Sequence, residues 1–288
     1  MKTPTWKDYK VIATGKGYKL EDWAGIKLLR PDPQVIWESN IDMDAYPKLV
    51  AKYIRSETGG GKWLYKGKMP EEWTVSYKDL KFKVKPMGFK HTGLFPEQAV
   101  NWDLMADLIK KANREINVLN LFAYTGGATV ACAKAGANVC HVDAAKNMVE
   151  RAGENAKLSG IEYGKIRYII DDCKKFVERE IRRSRKYDAI IMDPPSYGRG
   201  PNGEMWKLEA ELFPLVELCS KVLSDNPLFF LINSYTTGLQ PQVLKNILNK
   251  VLTNKLGGTV DAYEVGLNTE EEGIILPCGN SGIWINEK

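Results

Sequence analysis

Four short stretches hold side chains whose types and spacing could do chemistry. F-A-Y-T-G-G-A-T, residues 122–129, sets Gly126 beside Gly127 in a tight turn between an apolar run and an alanine-rich run. Glycine there lets a ligand approach the backbone closely. H-V-D closes on Asp143, 17 residues beyond Gly126, where a carboxylate can accept hydrogen bonds from both hydroxyls of a ribose. Asp171-Asp172-Cys173 places another acceptor where an adenine amine could lie. D-P-P-S-Y-G, residues 193–198, joins Asp193 to Pro194 and Pro195, two residues that fix the backbone and donate no hydrogen bond. Its carbonyls and carboxylate form a rigid acceptor set for an amine, and Tyr197 can stack on the planar ring bearing that amine. Each stretch alone also has a plain structural reading, as a turn or as an N-cap.

The elements that must position these residues alternate regularly. A helix is expected over 101–113, then strand 118–122, helix 127–135, strand 139–143, helix 145–158, strand 167–171, helix 174–184, strand 187–193, helix 208–223 and strand 228–233. Continuous apolar strands alternating with helices predict an α/β fold, a doubly wound and mostly parallel sheet. Ligands on such sheets bind at the carboxyl ends of the strands. Glycine, acid and acid at three successive strand ends describe a pocket for a nucleoside whose tail needs no phosphate site. The single glycine pair is not G-x-G-x-x-G, so a dinucleotide is poorly cradled. S-adenosylmethionine has the required shape. Residues 199–207, R-G-P-N-G-E-M-W-K, could form a cover over the site or a plain exposed loop.

Residues 1–85 read differently, as a small β-rich domain with one helix expected near Met43 to Glu57. The Gly- and Pro-dense segment 85–98 marks the junction to a second domain over 86–288. Of the net charge of +5, the basic excess is N-terminal: residues 1–90 hold 18 Lys and Arg against 11 Asp and Glu, and five of the eight tryptophans. Lysines interleaved with aromatics in G-K-W-L-Y-K-G-K and L-K-F-K-V-K suit phosphate attraction and base stacking, although the same alternation also describes a half-buried strand. Five dispersed cysteines without a C-x-x-C pair predict reduced thiols and a cytoplasmic location, and with two histidines no zinc-ligand spacing is present, so no metal is expected. The longest apolar run, Leu228–Ile232, is far shorter than the roughly 18 residues of a bilayer span. The N-terminus lacks the apolar centre of a secretory signal.

With H-T-G-L-F-P-E-Q, L-F-A-Y-T-G-G-A-T, H-V-D, D-D-C and D-P-P-S-Y-G-R-G in view, the chain resembles the class I S-adenosylmethionine-dependent methyltransferases. More narrowly, over roughly residues 85–286, it is similar to the bacterial group related to the 23S ribosomal RNA methyltransferases that modify cytosine at carbon 5. The resemblance implies a seven-stranded Rossmann-like sheet. It also implies that Phe95 and Gln98 lie against the cofactor, with its amino-acid tail along Phe122, Ala123, Tyr124, Thr125, Gly126 and Gly127. The ribose would rest on Asp143 and Ala144, the adenine beside Asp172 and Cys173, and the reactive methyl near Asp193 and Pro194. One departure matters. Where the cytosine enzymes have a Ser-Cys-Ser element after the fifth strand, this chain reads L-I-N-S-Y-T-T-G, residues 231–238. Methylation at carbon needs covalent activation by such a nucleophile, so a nitrogen or oxygen acceptor gains weight, with nitrogen favoured. Cys132, Cys140 and Cys219 read as packed residues; Cys278 stays open. RNA, ribosomal by family similarity, is the expected partner. The alternatives are a methyltransferase acting on a small molecule or protein, and an inactive RNA-binding protein.

Overall fold

The computed structural model describes residues 1–56, 60–199 and 205–287. It divides the chain into two compact units. One comprises Lys2–Val100 with Gly266–Cys278, the other Asn101–Val265 with Met1 and the residues from Gly279 on. The expected boundary at residue 85 is therefore displaced to 100, and a distant segment joins the first unit.

In the first unit, β1 (Tyr9–Gly15), β2 (Tyr18–Trp23), β3 (Ile26–Pro31), β4 (Leu49–Arg55) and β5 (Gly61–Tyr65) form a sheet in that order. The β3–β4 pair is parallel and the other pairs are antiparallel. A separate hairpin pairs β6 (Trp73–Tyr77) with β7 (Leu80–Val84). The helix expected near Met43 to Glu57 is absent from the described part of that span. Leu49, Ala51 and Tyr53 are buried while Val50 and Lys52 are only partly so, a period of two that a pleated strand satisfies and a helix cannot.

The second unit carries α1 (Ala99–Lys111), β8 (Asn117–Leu121), α2 (Gly127–Lys134), β9 (Asn138–Asp143), α3 (Lys146–Leu158), β10 (Ile166–Ile170), α4 (Cys173–Arg182) and β11 (Ala189–Met192). A short ribbon of β12 (Tyr197–Arg199) and β13 (Met205–Lys207) follows, then α5 (Leu208–Ser220), β14 (Phe229–Ser234), α6 (Pro241–Leu248), and β15 (Thr259–Asn268) and β16 (Ile275–Ile285), whose residues 266–268 and 275–278 fall in the first unit. The centre of the expected cover, residues 200–204, lies outside the described residues. Seven strands align as β10-β9-β8-β11-β14-β16-β15. The first five are mutually parallel, and β16 runs antiparallel to β14. Leu119, Leu121, Val142, Met192 and Ile232 bury themselves against α4, α5 and α6 in one apolar cluster. The alternate positions turn to α1, α2 and α3, where His141 meets Thr129 and Asn233 meets Asn101. Helices thus cover both sheet faces. The chain steps outward from β8 to β10 and returns to β11, so strand order reverses between β8 and β11, where a crevice opens at the carboxyl ends. Among the described residues no helix is long and apolar enough to cross a membrane.

The first unit is organised around a buried charge cluster. Glu21 on β2 is fully buried and accepts from Arg30 Nε at 2.5 Å, Arg30 Nη2 at 2.7 Å and the Tyr9 hydroxyl at 2.8 Å. Burial opposes ionisation of Glu21, but Arg30 and Lys19 outweigh it and hold the carboxyl at about 2. Removing one partner would leave a buried charge uncompensated, which typically costs about 3–5 kcal/mol. Arg30→Met should therefore destabilise the protein by about that much in urea unfolding, whereas surface Lys16→Met should not. Because the folded-state carboxyl is depressed below its ordinary 4.5, its stabilisation should be complete above that pH and shrink as pH falls toward 2; the Arg30→Met variant should lose this acid dependence.

Candidate active site

Leaving β8, the chain takes left-handed backbone at Phe122 (φ 55°), Tyr124 (φ 51°) and Gly126 (φ 83°). Non-glycine residues persist there only when their surroundings dictate it, and the surroundings are explicit. The Tyr124 N–H donates to Asp143 Oδ2 at 2.8 Å and the Ala145 N–H to Asp143 Oδ1 at 2.9 Å. The Ala123 N–H donates to the Val142 carbonyl, and Asn155 Nδ2 to the Thr125 carbonyl. Each Asp143 oxygen keeps a further lone pair for a hydroxyl. Gly126 and Gly127 are required twice over: a Cβ would lie 2.8 Å from Ala152 Cβ at the first and 2.6 Å from the Trp102 ring at the second.

Cys173 lies under this turn. It is 4% exposed, its sulfur accepts the Phe122 N–H at 3.3 Å, and its thiol faces the Val142 carbonyl at 3.9 Å. Burial pushes that thiol far up. Asp172 accepts the Lys175 N–H at 2.9 Å and so caps α4. Asp171 pairs with Arg179. Below the turn a buried chain runs from Asn120 Nδ2 to Thr129 Oγ1 and on to His141 Nδ1, each step 2.9 Å. Burial holds His141 near 4, so it stays neutral in the physiological range.

At the end of β11, Pro194 is buried while Tyr197 is half-exposed. Trp206 Nε1 donates to the Pro195 carbonyl at 2.6 Å, and the Trp206 ring sits 6.1 Å from that of Phe122. The Ser196 carbonyl accepts the Leu208 N–H, and the Ser196 hydroxyl accepts that of Thr236. The Pro195 carbonyl, expected to offer an acceptor, already receives one hydrogen bond, from Trp206. The Tyr197 hydroxyl reaches Met205 Sδ at 3.3 Å.

The structure therefore brings Phe122 to Gly127, Asp143, Ala144, Asp172, Cys173, Asp193, Pro194 and Tyr197 onto neighbouring strand ends of one unit. Phe95 and Gln98 belong to the other unit, with the Phe95 ring 5.7 Å from that of His91. Cys278 also belongs to that unit, where burial, Glu97 and other acids push its thiol well up. Asn155 shapes the site without any motif signal; Thr129 closes the 122–129 stretch with no role expected of it, and Trp206 is visible only as an aromatic in the cover segment.

Two anchored carboxylate oxygens with capacity for a ribose diol, beside a turn that only glycine lets pack this tightly, fit S-adenosylmethionine. A parallel sheet reversing at β8/β11 with these strand ends defines the class I methyltransferase fold. The chain belongs to the S-adenosylmethionine-dependent methyltransferases, whose family model matches residues 44–215. A solved S-adenosylmethionine-dependent methyltransferase from Agrobacterium tumefaciens is 32% identical, superposes with a TM-score of 0.91, and covers 99% of this chain and 92% of its own. Ribosomal RNA large subunit methyltransferases K/L are related in sequence. The Shewanella frigidimarina protein is 34% identical over 148 residues, 51% of this chain and 20% of that protein. A Legionella pneumophila protein is 27% identical over 198 residues, 68% of this chain and 27% of that protein. The chain thus spans only about a fifth to a quarter of these two relatives.

Replacing Asp143 by Ala removes the acceptor of two turn amides at once. We expect the Kd for S-adenosylmethionine to rise at least tenfold by calorimetry, with faster hydrogen exchange at the Tyr124 and Ala145 amides. Unchanged exchange would show that the turn is held by its other bonds.

Proposed function

We propose that this enzyme methylates a base nitrogen in RNA, ribosomal RNA foremost, in the cytoplasm. The observation that carries the reading is the acceptor set at the end of β11: Asp193 and Pro194 stand before a Pro195 carbonyl locked by Trp206, so the strand end is rigid. When bound, S-adenosylmethionine supplies a sulfonium methyl that is already activated for in-line displacement. The chain's own task is then positioning. Asp193 and the Pro194 carbonyl orient the amine, its nitrogen lone pair directed at the methyl, and Asp193 takes the proton the nitrogen sheds. Tyr197 stacks on the base. Asp143 and Ala144 would hold the ribose, the backbone from Phe122 to Gly127 the tail, and Asp172 with Cys173 the adenine.

Nitrogen is preferred to carbon because residues 231–238 contain no cysteine and the thiols of Cys173 and Cys278 are both pushed up by burial. The finer likeness to cytosine carbon-5 enzymes thus informs the site and not the reaction. RNA as the acceptor is supported by the names of the curated relatives and by the basic, aromatic N-terminal ninety residues.

The decisive experiment transfers labelled methyl from S-adenosylmethionine to total RNA from cells lacking the gene, then identifies the labelled nucleoside by mass spectrometry. One nitrogen-methylated nucleoside is expected; labelled 5-methylcytidine would overturn the nitrogen assignment, and label only in protein or small molecules would overturn RNA. Asp193→Ala should lower transfer at least 100-fold with cofactor affinity within a few-fold of wild type. Equal loss of both would place Asp193 in the cofactor pocket.

A further inference from the structure

The β-rich unit ends its five-stranded sheet on an edge strand, β5, whose two faces are both open. Tyr65 is 57% exposed, Leu64 44% and, across on β4, Ile54 36%. The register Arg55↔Gly61, Tyr53↔Trp63 and Ala51↔Tyr65 puts Arg55, Trp63 and Tyr65 on one face. A loop from Met87 to His91 leans on the same strand. There Phe89 and Lys90 both take left-handed backbone, φ 56° and 68°, and Phe89 is 72% exposed. Neither residue type favours that conformation.

The loop is nevertheless pinned from several directions. Trp63 Nε1 donates to the Met87 carbonyl at 2.8 Å, Arg30 Nη1 to the Lys90 carbonyl at 2.9 Å, and Lys90 Nζ to the Pro31 carbonyl at 2.9 Å. The Met87 N–H closes the loop on the His91 carbonyl at 2.8 Å. Backbone strain kept in place by that many bonds marks a functional position more often than an accident, and its product here is an apolar ring held out in water. A Cβ on Gly60 would lie 3.9 Å from the Phe89 ring, so Phe89 stands near the start of β5 and Tyr65 at its end. At about 3.3 Å per strand residue, Gly60 and Tyr65 are roughly 17 Å apart along the strand, which sets the two rings too far apart to pack on each other and far enough to take different bases.

Cations surround them. Arg55, Lys62, Lys66 and Lys68 are exposed on and beside β5, with Asp44 countering Lys66. Lysines on an edge strand discourage pairing with another strand, which weighs against a peptide as occupant. Exposed rings interleaved with cations are what a flexible polyanion with flat bases requires. We propose that the β5 edge with the Met87–His91 loop is a binding platform for single-stranded RNA, Phe89 and Tyr65 stacking bases and Arg55, on the face of Tyr65, meeting phosphates. This assignment rests on the RNA reading above and gives it a surface.

The test uses the full chain and a 5′-labelled single-stranded 12-nucleotide oligoribonucleotide, with binding read by fluorescence anisotropy at several salt concentrations. Phe89→Asn retains a residue that accepts left-handed backbone, so the loop should persist. Phe89→Asn and Tyr65→Thr should each weaken binding about 5- to 100-fold with the salt slope unchanged. Arg55→Gln should flatten the slope. S-adenosylmethionine binding should be unaltered throughout. If the wild type binds and methylates RNA and all variants match it, the platform is overturned and the RNA reading stands. If the wild type binds S-adenosylmethionine but neither binds nor methylates RNA, both fall.

Discussion

The catalytic unit depends on one carboxylate. Asp143 ends its strand by receiving two backbone amides, one from the turn after β8 and one from the start of its own connection to α3. Without an acceptor there, a turn with left-handed Phe122 and Tyr124 would leave donors unsatisfied beside the crevice. The charge therefore does structural work before any ligand arrives, and the same oxygens remain accessible for hydroxyls. Cys173 repeats the device one strand further out, tying Phe122 to Val142 through sulfur. The three strand ends are stitched together by side chains that the pocket also requires.

Behind this front lies a second layer that sets geometry without touching a ligand. On one sheet face, Asn101 Nδ2 donates to Asn233 Oδ1 and Ser281 Oγ, while the Tyr263 hydroxyl donates to Asn101 Oδ1. All four residues are buried. A satisfied polar network of this kind fixes one arrangement of α1, β14, β15 and β16, because any slip would strand several groups at once. On the other face the packing is mostly apolar, with the buried Glu180 of α4 accepting the Tyr187 hydroxyl at 2.6 Å. One face specifies position and the other supplies most of the burial.

Much of this was readable in the sequence, for identifiable reasons. The parallel strands are continuous apolar runs bounded by glycine or acid, so their existence and order of appearance survive without any knowledge of pairing. Gly126-Gly127 and Asp143 are recognisable because chemistry and backbone make the same demand there. The stretch Leu49–Arg55 misled because it is short and lies beside Met43 and Tyr46, which are apolar at helical spacing. Only the burial of Leu49, Ala51 and Tyr53 on one face reveals the strand. The Pro195 carbonyl looked open until Trp206, eleven residues on, was seen to donate to it. The Asn101 network joins residues up to 180 positions apart, and no local pattern encodes such a meeting. Glu21 and Arg30 are each ordinary in a basic, aromatic segment; nothing but the fold shows that they are buried together.

Cys173 has one more consequence. A sulfonium cofactor is an alkylating agent, and the nucleophile it would react with fastest in a protein is a thiolate. This chain keeps a sulfur directly beneath the turn assigned to that cofactor, yet burial drives its ionisation far above neutrality, and the lone pairs that would attack are engaged by the Phe122 amide. Burial thus favours the protonated, weakly nucleophilic form of this sulfur. Loosening the core around residue 173 would endanger more than stability, since each turnover would then carry some chance of self-alkylation and gradual, irreversible inactivation.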